Sequence, residues 1–422
     1  MLFYDKIVQS SYGYFGMANQ PVAKTEEKKK KSEQEEKPSK AWVFLLVIGI
    51  LGILGGISCG VVAFLLPEKE VAALEYPTIP SKTSEEKIYS DLTGLELASA
   101  AEKTAPTFCI QTPNGVDGAR PQAGLNTAGV IFEAIAEAGI TRFAAIYQNP
   151  TSAVIGPIRS LRIYYLQWDT PFDCTIVHAG GADDALAAVR SGGYKDLSES
   201  TTYMYRQYGG TRRWNNLFSN SALLNSFASD YGYTTSNVTG FTRMTPNESE
   251  KKRIDSTVAE KLVITKPAKA NTSEIKPQAT NISIQFGSVS TFNVVYTYNS
   301  KTNTYSRTYE NNNVNEILAC PEGNLGNMNP DEICTQQVLT PSVVVAMVVE
   351  EKRASDNYHE DITAVGSGEA YIFQNGIVVH GGWSKQTVND QIKFNDENGK
   401  EVALAPGQTI IEAVPTYGGI AY

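Results

Sequence analysis

Charged and uncharged positions fall into blocks along the chain, and the longest uncharged block lies near the start. Residues 41–66 carry no charged side chain, a stretch longer than the roughly 20 apolar residues that a helix needs to cross a bilayer. Residues 1–40 are polar and include a basic cluster at 28–31. Because basic residues beside a membrane span stay in the cytoplasm, the pattern predicts a charged cytoplasmic tail, one transmembrane helix and an extracytoplasmic remainder.

Two other interpretations of this block differ in how the chain would be processed. A cleaved signal peptide has an apolar region of about 7–15 residues and a short leader, whereas both are longer here. A lipoprotein signal would attach lipid at Cys59, but Gly56 stands where such signals usually carry leucine. The uncleaved anchor is therefore favoured, and the lipidation of Cys59 stays open.

The extracytoplasmic part begins with a stalk and an α/β region. Residues 67–87 contain three prolines, which predicts a stalk. Residues 88–255 alternate strand-like and helical patterns, which is typical of a layered α/β domain. The predicted strands are 107–110, 142–148 and 174–177, and the predicted helices are 127–138, 160–168 and 183–190. Thr127 is the candidate N-cap of the first helix, and Gly139 is its candidate end.

Beyond this region the pattern changes to strands. Residues 256–280 are polar and predict a connector. Residues 281–422 hold several β-rich runs, and Asn375 and Gly376 between two of them indicate a hairpin. We therefore expect a mainly antiparallel β-sheet domain here. The predicted fold class is α/β in the first region and α+β overall, preceded by one transmembrane helix.

Composition and charge exclude several classes of protein. The chain has 422 residues, a net charge of −9 and a pI near 5.1, which disfavours a broad nucleic-acid-binding surface. It has three histidines, and none has zinc-type spacing to the cysteines. Because phosphate-loop, HExxH and CxxC motifs are also absent from the sequence, we expect neither a metal nor a cofactor.

The cysteines indicate an oxidising compartment. Four of the five follow the predicted span, and outside the cell an even number permits two disulfides. Cys320 and Cys334 flank a turn-rich stretch and are predicted to pair. Cys109 and Cys174 lie on two predicted strands, where a disulfide and two buried free thiols are both open.

Two carboxylates are the first candidate for chemistry. Glu133 and Glu137 are four residues apart on the predicted helix, so they share a face. Such a pair can act as general acid and base, and Arg142 follows just after. The alternative is a solvated face with two acids.

A pair of arginines is the second candidate, because it indicates a binding site for an anion. A Gly-Pro turn leads into the predicted helix 160–168, with Ser160 as a candidate cap. Arg159 and Arg162 lie near the first turn, where cations oppose the helix dipole. A bound carboxylate or phosphate would explain that placement, and a structural ion pair with one of the two glutamates is the alternative.

A histidine and two glycines form the third candidate. His178 ends a predicted strand, and Gly180 and Gly181 turn the chain into the next helix. Glycines let backbone N–H groups approach a ligand, although a hydrogen-bonded core histidine beside a tight turn fits equally. Arg120 adds a basic position from a separate loop.

Arginines and aromatic residues are interleaved in residues 203–214. The arginines there are Arg206, Arg212 and Arg213, among three tyrosines and Trp214. This mixture suits stacking on sugars or bases. A surface loop of mixed character is the other interpretation.

Each folded region contains its own set of motifs, with a distinctive order and spacing. In the first region they are 119–125, 132–133, 139–143, 156–162 and 177–181. In the second they are Tyr298, 304–307, 366–368, 373–376, 382–385 and 405–409. These motifs resemble the two domains of the YerB-like lipoprotein family, over about residues 100–416.

The resemblance implies an extracytoplasmic, membrane-attached protein with a two-part α/β fold and no assigned reaction. This chain departs from the family in four places. A predicted helix replaces the lipidated cysteine, and residues 214–216 replace a Pro-His-Asn motif. Residues 310–314 lack the family's histidine and aspartate, and residues 320–334 resemble an insertion.

These observations predict a cell-envelope protein that binds an anionic ligand, either a peptidoglycan fragment or a wall polymer. The predicted ligand-binding residues are Arg120, Glu133, Glu137, Arg142, Arg159, Ser160, Arg162, His178, Gly180 and Gly181. One alternative is a cell-wall hydrolase that uses Glu137 and His178. Another is a scaffold for a second membrane protein, with an exposed apolar patch. The sequence does not predict the oligomeric state.

Overall fold

The computed structural model describes residues 87–208, 212–253, 279–310 and 316–422. These residues belong to one compact unit of the chain, Ser84–Tyr422. The predicted tail, transmembrane helix and Cys59 lie outside the described residues, as do nearly all of the stalk and most of the connector. Within the part of the chain that is described, no helix is long and apolar enough to cross a membrane.

The first region combines strands and helices, as expected. Its described strands are β1 (Thr107–Pro113), β2 (Val130–Glu137), β3 (Ile140–Gln148), β4 (Thr175–Val177), β5 (Lys195–Leu197), β6 (Tyr205–Arg206) and β7 (Leu217–Phe218). Its described helices are α1 (Ala100–Lys103), α2 (Ile163–Asp169), α3 (Asp183–Arg190), α4 (Ser221–Asp230) and α5 (Pro246–Lys252).

The second region is rich in strands. They are β8 (Asn281–Gln285), β9 (Val294–Asn299), β10 (Thr304–Tyr309), β11 (Glu316–Ala319), β12 (Thr335–Val338), β13 (Val343–Val349), β14 (Glu351–Arg353), β15 (Glu360–Ile362), β16 (Gly366–Gln374), β17 (Ile377–Lys385), β18 (Lys393–Asp396), β19 (Thr409–Pro415) and β20 (Gly419–Ala421), with helix α6 (Pro330–Ile333) between β11 and β12. Asn375 and Gly376, both at positive φ, form the predicted hairpin between β16 and β17.

Both regions contribute to one ten-stranded sheet. Its strand order is β18-β17-β16-β13-β19-β2-β3-β1-β4-β5. The regions join where β19 pairs in parallel with β2, from Thr409 opposite Val130 to Glu412 opposite Glu133. Most neighbours in the second region are antiparallel, and the β13–β19 pair is parallel. The fold is therefore mixed α+β.

The two faces of the ten-stranded sheet are covered differently. A second, four-stranded sheet, in the order β10-β9-β8-β20, packs on one face through buried residues such as Ile282 and Val344. Helix α2 packs on the other face, where Trp168 stacks on Phe132 with ring centroids 5.3 Å apart. Strand β2 is thus buried from both sides.

The predicted helix at 127–138 is wrong. Residues Val130–Glu137 form strand β2, and Thr127 lies in a 3₁₀ turn rather than at an N-cap. A strand buried on both faces has a continuous apolar run instead of alternation, and such a run can imitate a helical period. Gly139 ends β2 as part of a two-residue hairpin turn, in which Ala138 and Gly139 both have positive φ.

The other predicted elements of the first region fare better. Helix α3 is confirmed at Asp183–Arg190, and the three predicted strands correspond to β1, β3 and β4. The predicted helix 160–168 is shifted, because α2 begins at Ile163 and Arg162 occupies the N-cap position. Ser160 is therefore not a helix cap.

The four cysteines that follow the predicted span form two disulfides. The predicted Cys320–Cys334 bridge is confirmed. Cys109 and Cys174, for which a disulfide and two free thiols were both open, also form a disulfide. Their bridge ties β1 to the start of its parallel neighbour β4.

His380 forms an ionic contact near the β18 edge of the main sheet. Its ring stacks on Tyr371, and its two nitrogens lie 2.6 Å from Glu369 and 2.9 Å from Glu397. The hydrogen bond to Glu369, followed by that to Glu397, raises the pKa of His380 above its ordinary value. The folded state therefore favours the protonated ring.

We expect this contact to make stability depend on pH. Because the folded pKa of His380 is raised, its contribution is complete below the unfolded value of about 6.5 and is lost as pH rises through the folded value. The wild type should exceed His380→Gln in unfolding free energy by up to about 1 kcal/mol near pH 6, and by less near pH 9. Denaturant unfolding at both pH values measures this, and a difference that grows with pH contradicts it.

Candidate functional site

The predicted site residues do not form a single cluster. A register shift in β2 between Ile135 and Glu137 interrupts the alternation that would otherwise place Glu133 and Glu137 on one face. Glu133 contacts Arg307 from the small sheet, whereas Glu137 contacts arginines beside helix α2. The two carboxylates therefore belong to separate groups and do not form an acid–base pair.

Glu133 lies in a fully buried polar cluster between the two sheets. Its carboxylate accepts hydrogen bonds from Asn114 at 2.9 Å and from Thr141 at 2.5 Å, and it is paired with Arg307. Glu133, Arg307 and Glu412 are all 0% exposed. Burial raises the pKa of Glu412 well above its ordinary value. No substrate can reach this cluster, so Glu133 has a structural role.

Arg120 lies at the edge of the same cluster. Its guanidinium carbon is 3.7 Å from the centre of the Tyr309 ring, and its Nε donates to Asn114 at 2.9 Å. Burial lowers the pKa of Arg120. These contacts fix Arg120 between the two regions, so the structure gives it an ordering role.

Glu137 is held by two arginines. Its carboxylate accepts from Arg142 Nη2 at 2.8 Å and from Arg162 Nη2 at 2.6 Å. Arg142 also donates to the Ser160 carbonyl at 2.5 Å. The structural ion pair left open by the sequence is therefore the one observed.

His178 is a buried, hydrogen-bonded residue. Its Nδ1 lies 2.7 Å from the Gly180 carbonyl and its Nε2 lies 2.9 Å from Asp196. The glycine turn is tied to the segment before α2, because Leu161 N–H donates to the Gly180 carbonyl and Gly181 bridges Leu161. Neither ring nitrogen bonds to Glu137. The geometry needed for the hydrolase alternative is therefore not formed among the described residues.

Arg159 differs from all of these residues. It is half-buried, and its Nε donates to the Asn215 side chain at 2.9 Å. No carboxylate of the described residues lies within ion-pair distance of it. Burial lowers the pKa of Arg159, and the nearby charge of Arg206 adds to this shift. A partly desolvated arginine beside a second cation is a place where a bound anion gains most.

Arg159 lines a cavity of about 760 Å³, called here the Arg159 pocket. The other lining residues are Arg206, Tyr208, Arg213, Trp214 and Asn216. Tyr208 is 82% exposed and Trp214 is 75% exposed. Arg206 donates to Asn216 at 2.7 Å and is paired with Glu199. The pocket thus combines three guanidinium groups with two exposed aromatic rings.

Of the residues that line this pocket, only Arg159 is among the predicted ligand-binding residues. The signal was present in the sequence, because residues 203–214 interleave arginines with aromatic residues. That stretch could not be connected to Arg159 from spacing alone. The connection is made by Asn215, whose side chain accepts from Arg159 and donates to Asp117.

The family can be assigned from two domain matches along the chain. The N-terminal domain described as "Protein of unknown function (DUF3048)" matches residues 92–234, and the C-terminal domain of the same description matches residues 282–411. The chain belongs to the DUF3048 family. The predicted resemblance to YerB-like proteins is thereby confirmed.

Two relatives give this DUF3048 protein a structural context. A Bacillus subtilis (strain 168) protein named "Putative lipoprotein YerB" is 27% identical over 333 residues, which cover 78% of this chain and 87% of that protein. The crystal structure of YerB from Bacillus subtilis superposes with a TM-score of 0.60 at 21% identity, over 80% of this chain and 100% of that chain. This second likeness shows that the fold is shared.

A second cavity in the DUF3048 protein, of about 770 Å³, lies beside Arg162 and the β14–β15 hairpin. Its charges are largely paired: Lys352 lies 3.4 Å from Asp361, and His359 lies 2.6 Å from Asp356. No group of three or more histidine, cysteine or acidic residues that could hold a metal is found among the described residues. The Arg159 pocket is therefore the stronger candidate.

Proposed function

We propose that this DUF3048 protein is a membrane-attached extracytoplasmic protein that binds an anionic glycan of the cell envelope in the Arg159 pocket. The observation that carries the proposal is Arg159 itself, half-buried, close to Arg206 and without a carboxylate partner among the described residues. The extracytoplasmic location is supported by the two disulfides and by the lipoprotein name of the Bacillus subtilis relative.

The arginines favour an anionic group on the ligand. Removing a cation from water without a partner costs free energy, so an incoming carboxylate or phosphate is favoured at Arg159. A planar guanidinium can bind either group through two parallel hydrogen bonds. The exposed Arg213 would add long-range attraction that weakens with salt.

The aromatic rings favour a glycan as the carrier of that anion. Trp214 and Tyr208 present large apolar faces to solvent, and stacking a sugar ring on them removes apolar area from water. Peptidoglycan fragments and anionic wall polymers unite sugar rings with carboxylates or phosphates outside the membrane. They are therefore the proposed ligand class.

The proposal is tested by co-sedimentation of the full chain with purified sacculi, followed by competition with soluble fragments. Acidic muropeptides should displace the protein, and neutral N-acetylglucosamine oligomers of equal length should do so much less. Retention should fall as salt is raised. Equal displacement by neutral and acidic fragments would overturn the proposed recognition of charge.

Trp214→Ala should weaken binding of the acidic fragments by about 10- to 150-fold, because an exposed aromatic side chain buried by ligand contributes on the order of 1.5–3 kcal/mol. Tyr358→Ala is the matched control, since Tyr358 is also exposed, at 57%, but does not line the pocket. Titration calorimetry measures both. Equal affinities for the two variants would show that Trp214 does not contact the ligand.

We also propose that residues 41–66 anchor the chain as a single helix with its N-terminus in the cytoplasm. The stretch is uncharged and long enough. Cys59→Ser should then stay in the membrane fraction after alkaline washing, as the wild type does. Release of the variant into the wash would identify lipidation of Cys59 as the anchor instead.

A further inference from the structure

We propose that the disulfide-closed segment 320–334, called here the clamp segment, is a positioning element of the Arg159 pocket. This inference rests on the proposed function, because it concerns how the same pocket is held ready for its ligand. The clamp segment belongs to the second region, whereas the pocket belongs to the first. The residues beside the pocket are thus contacted by a part of the chain that is distant in sequence.

Three side chains around the pocket donate hydrogen bonds to the backbone of the clamp segment. The Tyr205 hydroxyl donates to the Met328 carbonyl at 3.0 Å, and Gln207 Nε2 donates to the Asn327 carbonyl at 3.1 Å. Asn220 Nδ2 donates to the Gly326 carbonyl at 3.2 Å. These donors lie on both sides of the stretch that carries Tyr208, Arg213 and Trp214.

An arginine–carboxylate pair makes the strongest of these contacts. Arg212 donates to Asp331 through Nε at 3.0 Å and through Nη2 at 2.6 Å. Arg212 is only 4% exposed, so the pair is screened on one side from water. A bidentate pair fixes orientation as well as distance. Because Arg212 immediately precedes Arg213 and Trp214, this pair sets where those two residues stand.

An apolar contact supports the polar ones. Tyr205, Phe218 and Leu318 form a buried cluster against which Ile333 and Cys334 pack. The pocket residues Tyr208 and Trp214, in contrast, are mostly exposed. Such exposed side chains have little packing of their own, so their position depends on the anchored residues beside them.

The disulfide keeps the clamp segment in the shape that these contacts need. Cys320 and Cys334 stand at its two ends, with their Cα atoms 4.2 Å apart. Without the covalent link, the segment gains conformational freedom, and Asp331 is no longer held opposite Arg212. Opening the disulfide should therefore loosen the pocket while the ten-stranded sheet, which lies elsewhere, stays intact.

Two variants of the full chain test this inference. Asp331→Asn removes the charge that Arg212 contacts, and the double variant Cys320→Ser with Cys334→Ser removes the covalent closure. Glu332→Gln is the matched control, because it makes the same charge change one residue away and loses only an exposed contact with Asn329. Hydrogen exchange is followed in residues 205–216 and in β2 and β3, and affinity for acidic muropeptides is measured.

Asp331→Asn and the double cysteine variant should both raise hydrogen exchange in residues 205–216. Both should also weaken muropeptide binding by about tenfold or more, because the charge-assisted bidentate pair is lost. Exchange in β2 and β3 and the behaviour of Glu332→Gln should match the wild type. Unchanged exchange in residues 205–216, or faster exchange with undiminished affinity, would overturn the inference. If the wild type binds no muropeptide, the proposed function is overturned. Faster exchange in the two variants would then still support the ordering role of the clamp segment.

Discussion

Arg307→Met is expected to lower the free energy of unfolding by about 3–5 kcal/mol, the usual effect of removing one partner of a buried ion pair. Arg307 and Glu133 are both 0% exposed, so the substitution leaves the Glu133 carboxylate in the core without its arginine partner. Denaturant unfolding of the wild type and the variant measures the loss.

Two further variants show whether the loss comes from the unpaired charge. Adding Glu133→Gln to Arg307→Met removes that charge, so the double variant should recover a large part of the stability. Glu412→Gln is a matched control. Burial raises the pKa of Glu412 well above its ordinary value, so the folded state favours the neutral carboxyl, and a change to the neutral amide should cost less than Arg307→Met does. This account would be contradicted if Arg307→Met lowered the free energy of unfolding by less than about 1 kcal/mol. It would also be contradicted if the effects of Arg307→Met and Glu133→Gln were strictly additive.

Arg159→Glu is expected to weaken binding of acidic muropeptides by about 100-fold or more. The change removes hydrogen bonds to a charged group, each of which contributes about 1.5–3 kcal/mol to binding. It also places a like charge beside the ligand's anion. The fold should be unaffected, because Arg159 is half-buried and its side chain bonds only to Asn215 among the described residues. Titration calorimetry and thermal unfolding of the same preparation measure both effects.

The matched control for Arg159→Glu is Arg190→Glu. Arg190 is exposed at the end of α3 and does not line the pocket, so the same charge reversal there changes only the net charge of the protein. Its effect on affinity should be small and should vanish at high salt. Equal losses of affinity for the two variants would show that the ligand is attracted by the overall charge of the protein rather than by Arg159 itself.

The sequence predicted most local elements but not how the two regions combine. Helix α3 and strands β1, β3 and β4 follow from their own periodicity. Strand β2 was predicted as a helix because burial on both faces removes the alternation that marks a strand. Its faces are covered by the four-stranded sheet and by helix α2, and its parallel neighbour β19 is far away in the sequence. Pairing between two strands that are so far apart in the sequence leaves no pattern in the local sequence of either strand.

The candidate site shows a similar limit. Arg142 and Arg162 were predicted to bind a ligand, with an ion pair to a glutamate as the alternative for Arg162, and the structure pairs both of them with Glu137. The register shift in β2 separates Glu137 from Glu133, and no sequence pattern indicates it. Arg159 looked equivalent to Arg162 in spacing. Only the structure shows that Arg159 lines a different, basic and aromatic pocket, together with Arg206 and Trp214.

The central claim is that the Arg159 pocket binds an anionic glycan, and a hydrogen-exchange footprint tests it most directly. The full chain is compared with and without saturating acidic muropeptides. The account predicts protection in two segments, 155–162 and 203–218, with the rest of the described chain unchanged. Protection confined to the cavity beside Arg162 and the β14–β15 hairpin, or no protection at saturating ligand, would contradict it.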